Sequence, residues 1–207
     1  MTRAGILVLV LAASVAADDG ALERLQAENA RLEARVRELE AENASLRARV
    51  GTVEAAAERS VTASVDDAGA VTALDVEPSR LELTGGNRSR HWIALHAKQG
   101  AGAEIQIDAA ASNGAYRDAG QLELSLDGTP LALPVTKRAA TPIVAGPQQQ
   151  RVGERETVRI AVPTDTVARI GAARAVSGRL GPTTFVLSAE QIASFAAVAR
   201  RLESGAR

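Results

Sequence analysis

From residue 22 to residue 53, apolar side chains return every three and four positions. One position in seven holds Leu25, Leu32, Leu39, Leu46 and Val53, and the position three earlier holds Leu22, Asn29, Val36, Asn43 and Val50. This a/d heptad predicts a long coiled coil, with those ten residues as the seam of a dimer. After Ser60 the period changes to two. Alternation broken by turn residues predicts strands at 61–65, 70–76, 79–84, 90–97, 103–109, 121–126, 129–135 and 156–162. Asp127-Gly128 between two runs is a tight hairpin signal.

Toward the C-terminus the pattern mixes. Thr164 or Asp165 opens a short helix to about Ala173, with Val167 and Ile170 facing inward. Strands near 174–180 and 183–187 follow. Ser188-Ala189-Glu190-Gln191 is a capping box that starts a terminal helix, with Ile192, Phe195, Ala199 and Leu202 on one face. The expected fold is a long α-helical coiled coil followed by a mainly-β domain, an antiparallel sandwich or barrel-like form. A C-terminal α+β portion ends in the terminal helix. The expected divisions are a signal peptide at 1–17, a parallel stalk at 18–59, a β-rich domain at 60–136, a loop or linker at 137–153 and a β/α portion at 154–207.

Leu at d with Val at a favours two strands, and Asn at two a sites favours a parallel, in-register pair. There each amide meets its twin, whereas a slipped register leaves a buried amide unpaired at a cost of roughly 1–3 kcal/mol. The flanking charges tune register. Across such a pair Arg35 meets Glu40, Glu42 meets Arg47 and Arg49 meets Glu54, while Glu28 meets Glu33 with like charge. The seventh-residue leucines resemble the leucine zipper of basic-region transcription factors over residues 22–53. That family carries a basic run just before the zipper, and this chain has Asp18 and Asp19 there. The resemblance therefore implies dimerisation and not DNA binding.

Ahead of the heptads, Arg3, the apolar run Ile6–Ala13 and the small residues Val15-Ala16-Ala17 read as a secretory signal peptide. Ala4–Ala17 is shorter than the ~20 residues that cross a bilayer. The expected location is secreted or periplasmic. The alternative is an uncleaved membrane anchor with the β-rich part outside the cytoplasm.

Composition narrows the function classes. A net charge of −1 argues against nucleic acid and anionic membrane as partners. The absence of cysteine excludes disulfides and thiolate metal sites. No nucleotide-binding glycine loop, nucleophile elbow or zinc-protease motif is present, so no catalytic residue, cofactor or metal is assigned. His91 and His96 are five apart in a strand and point to opposite faces, which disfavours a shared metal. Arg88, Arg90, His91 and Trp92 form one basic cluster beside the single Trp, a candidate patch for an acidic envelope protein or a glycan.

The expected function is an exported, homodimeric, non-enzymatic protein whose stalk presents two β-rich interaction heads. In outline the chain is also similar to bitopic cell-shape and division proteins such as MreC, which implies a membrane-anchored envelope scaffold as the alternative. A hydrolase with a site assembled from scattered residues is the second alternative.

Overall fold

The computed structural model describes residues 19–68, 70–84, 90–111, 114 and 116–204. The expected signal peptide lies outside them. The chain divides into two units, Met1–Arg49 and Val50–Arg207.

Helix α1 spans Asp19–Ser60. Its interior has no Pro and one Gly, and is rich in the strongest helix formers, Ala, Leu, Glu and Arg. Among the described residues of the first unit it is the one element, with its leucine stripe in solvent. Leu22, Leu25, Leu32, Val36, Leu39 and Leu46 are 47–65% exposed, and Asn29 and Asn43 are exposed beside them. Exposed ion pairs run along the rod within the helix, among them Arg35–Glu38 at 2.5 Å and Arg37–Glu33 at 3.8 Å. This corrects the expected fold: the described residues form one long helix and no long coiled coil. The heptad describes a surface for packing, and the described residues supply no second long helix to pack on it. The described residues contain two other helices, of 9 and 16 residues, and both belong to the second unit.

The second unit is mainly β, as the alternation predicts, in the form of one curled antiparallel sheet. Its strands are β1 (Val61–Val65), β2 (Val71–Arg80), β3 (Glu82–Thr84), β4 (Arg90–Lys98), β5 (Gly102–Ala111), β6 (Gln121–Leu126), β7 (Thr129–Ala145), β8 (Gln150–Val162), β9 (Val176–Leu180) and β10 (Thr183–Val186). They lie in the order β1-β2-β4-β5-β8-β7-β6-β9-β10-β3. Leu81 alone separates β2 from β3, yet these strands lie near opposite ends of that order. The sheet must therefore curl until its ends approach. Strand β7 is the turning point. Thr129–Pro134 pair with β6, and Val135–Ala145 pair with β8, with a break in register at Val135–Lys137.

The residues expected to form a loop at 137–153 are instead the arms of a β7–β8 hairpin that turns at Gly146–Gln149. Both faces of this ribbon meet solvent. It therefore lacks the apolar–polar alternation by which a half-buried strand is recognised.

Inside the curl, Leu74, Leu95, Ile105, Ile107, Leu122, Ile160 and Leu180 are at most 1% exposed. Two helices complete this core: α2 (Thr164–Ala172) and α3 (Ala189–Ser204). The capping box forms as expected. Gln191 N donates to Ser188 Oγ at 3.2 Å, and Ser188 N donates to Gln191 Oε1 at 2.8 Å. At Asp127-Gly128 both residues have positive φ, 49° and 87°, which the right-handed strand twist demands of a two-residue hairpin.

Candidate functional site

The most unusual chemistry lies inside the sheet. Register places His91 on β4 opposite Ala109 on β5, and Ala109 opposite Glu156 on β8. The three side chains form one inward row, respectively 0%, 0% and 5% exposed. Ala109 is the small middle member, and Tyr116 from the β5–β6 connection spans the two flanking residues. Its phenol oxygen makes a short hydrogen bond with His91 Nδ1. Its backbone N–H donates to Glu156 Oε2 at 3.0 Å. The two rings meet edge-on with centroids 5.5 Å apart. Thr183 of β10 brings its hydroxyl beside the phenol from the other half of the sheet, without forming a well-aligned hydrogen bond. A polar plug thus links strands that are distant in the sheet order.

Burial sets the protonation states. The phenol is pushed well above its ordinary value, chiefly by desolvation. Thr183 opposes that rise, while the charges of Glu156 and Asp108 add to it. Desolvation lowers the affinity of His91 for a proton. His91 Nε2 is buried with no hydrogen-bond partner. Tyr116, Arg117, Arg138, Glu154, Glu156 and Thr157 line a cleft of about 280 Å³ outside the plug, from which the histidine is absent.

His96 takes the opposite face, as its odd spacing from His91 requires. Its Nδ1 lies 2.6 Å from Asp75 Oδ1 across β2 and β4, and Glu104 is its neighbour on β5. The pair sits in an open groove of about 520 Å³ with Lys98, Gln106 and Arg159. No Ser, Thr or Cys lines that groove, so it offers no hydroxyl or thiol nucleophile beside the imidazole. Among the described residues no three His, Cys, Asp or Glu side chains come together as a metal site.

The expected patch does not form as one surface. Arg90 is exposed and Trp92 half-buried, but His91 points inward, and Arg88 lies outside the described residues. The plug was hidden because Tyr116 and Glu156 are remote from His91 in sequence. Its one legible signal was a histidine on the same strand face as Ile93 and Leu95.

A third cavity, of about 260 Å³, lies where the last turns of α1 meet β2, β4 and α3. Part of its polar lining is paired internally. Gln191 Nε2 donates to Ser79 Oγ at 2.8 Å and Arg80 O at 3.1 Å, and the Ser60 and Ser194 hydroxyls are 3.1 Å apart. Beside it Glu58 receives Arg200 at 2.7 Å and Arg201 at 2.9 Å. The Arg200 hydrogen bond leads in holding the Glu58 carboxyl below its ordinary value, against a smaller cost of burial. This region reads as a seam between elements.

Of the ten heptad residues, nine are exposed and Val53 is half-buried. No helix of the described residues is long and apolar enough to cross a membrane. The chain matches no known family model, no curated protein and no solved structure.

Proposed function

We propose that this is an exported, non-enzymatic homodimer in which two copies lie side by side and parallel along α1, each contributing one β unit for binding. The observation that carries this reading is the leucine stripe. Leu22, Leu25, Leu32, Val36, Leu39, Leu46 and Val50 all remain 47–65% exposed on one continuous helix. Full burial of such a side chain contributes roughly 1.5–3 kcal/mol, so a second copy laid along the stripe gains substantially. Asn29 and Asn43 favour the in-register, parallel arrangement, in which each amide faces its twin. Because β1 follows α1 directly in sequence, parallel pairing brings both β units to the same end of the paired helices. Two weak binding surfaces then act bivalently on a repetitive envelope protein or glycan.

A non-enzymatic role is supported by two features. The buried histidine is closed off from its neighbouring cleft, and the exposed one is paired with Asp75 in an open groove whose lining holds no hydroxyl or thiol. Export is supported by the sequence of residues 1–17.

Sedimentation equilibrium of the mature chain tests the pairing. A dimer at micromolar concentration is expected, and a monomer there overturns the reading. The alternative, a membrane-anchored envelope scaffold, is separated by N-terminal sequencing. Exported material beginning at Ala17 or Asp18 supports secretion, while an intact Met1 in the membrane fraction supports the anchor.

A further inference from the structure

We propose that His91 and Tyr116 form an acid-sensitive latch: uptake of a proton by His91 releases Tyr116 and loosens the end of the core that it plugs. The geometry explains why. The imidazole is 0% exposed, its Nδ1 is committed to the Tyr116 oxygen, and its Nε2 has no partner. A neutral imidazole needs one acceptor and one donor, whereas an imidazolium needs two acceptors. Among the described residues the ring's one partner is a phenol that burial keeps protonated. The second N–H of the cation would be charged, buried and unbonded.

The surroundings offer little relief. The β5 neighbour is Ala109. Glu156 on β8 is two strands away, about 10 Å across the sheet, and holds the Tyr116 backbone. Thr183 on β10 carries no charge. Asp108 is bonded by Thr157 at 2.5 Å and Gln106 at 2.9 Å on the outer face. Toward the other edge, Arg80 of β2 and Glu82 of β3 are exposed. No carboxylate among the described residues bonds the ring.

The sign follows from proton linkage. The closed state binds the His91 proton less readily than the open state. The latch is therefore fully closed above the ordinary histidine value of 6.5 and loosens as pH falls below it. The open fraction rises about tenfold per pH unit until the closed-state value is reached.

The composition supplies its own probes, with one Tyr, one Trp and two His in the chain. The test is an acid titration of the full chain from about pH 8 to pH 5, spanning the histidine range. The imidazoles are followed by NMR, Tyr116 by near-ultraviolet absorbance, and the sheet by far-ultraviolet circular dichroism. The expected result is reversible exposure of the phenol in step with His91 protonation, with sheet content retained. The His91→Gln chain should lack that transition over the same range. The proposal is overturned if His91 takes up its proton while Tyr116 stays buried, or if Tyr116 stays buried down to the acid end. An unchanged transition in His91→Gln overturns it as well, because the carboxylates would then be responsible. The wild-type titration decides the question even where the variant fails to fold.

Discussion

Single residues in this chain are constrained chiefly by space and by hydrogen-bond partners. Gly171 on α2 shows the first constraint. A Cβ there would lie 2.5 Å from Ala196 N and 2.6 Å from Ala196 Cα, both backbone atoms of α3. Backbone cannot swing aside as a side-chain tip can, so the two helices would have to separate. Gly171→Ala is expected to destabilise the β unit by about 1–3 kcal/mol, measured by urea unfolding. Unchanged stability would mean that the helices do not pack this closely. His91 shows the second constraint. Its strand parity with Ile93 and Leu95 is visible in the sequence, and it assigns the residue to the inside face. The partner that lets a polar ring stay there, Tyr116, comes from another segment of chain and has no spacing signature.

Elements with strong local rules were legible. The capping box at Ser188–Gln191, the Asp127-Gly128 hairpin and strands β1 and β6 fall where the pattern places them, because each depends on residues adjacent in sequence. Gln191 then does more than cap, since its Nε2 also ties α3 to Ser79 and Arg80 of β2. Gln191→Ala should therefore cost more than the ~1 kcal/mol typical of a lost cap. Glu190→Ala at the neighbouring exposed position should cost much less; equal melting temperatures for the two variants would count against the tie. The β7–β8 ribbon is the opposite case. Strand pairing extends it well beyond the core, and its polar composition with Pro142 and Pro147 reads locally as a loop.

For the whole molecule, the heptad repeat specifies a sticky face without supplying its mate. The described residues hold one long helix, and its leucine stripe stays exposed. If a second copy covers that stripe, a charge in its centre should abolish pairing. Leu32→Asp with Leu39→Asp is expected to sediment as a monomer while its β unit unfolds as in the wild type. A persistent dimer would place the interface elsewhere.

The sequence by itself determined the long helix, most strand positions and the terminal helix, because heptads, alternation and caps act over a few residues. Only the tertiary structure decided that ten strands form one curled sheet, that residues 137–153 continue two of them, and that Tyr116 bridges His91 and Glu156 on either side of Ala109. Those outcomes depend on register between distant segments. Which strands become neighbours is settled by burying the whole core at once, and no local run of residues records that choice.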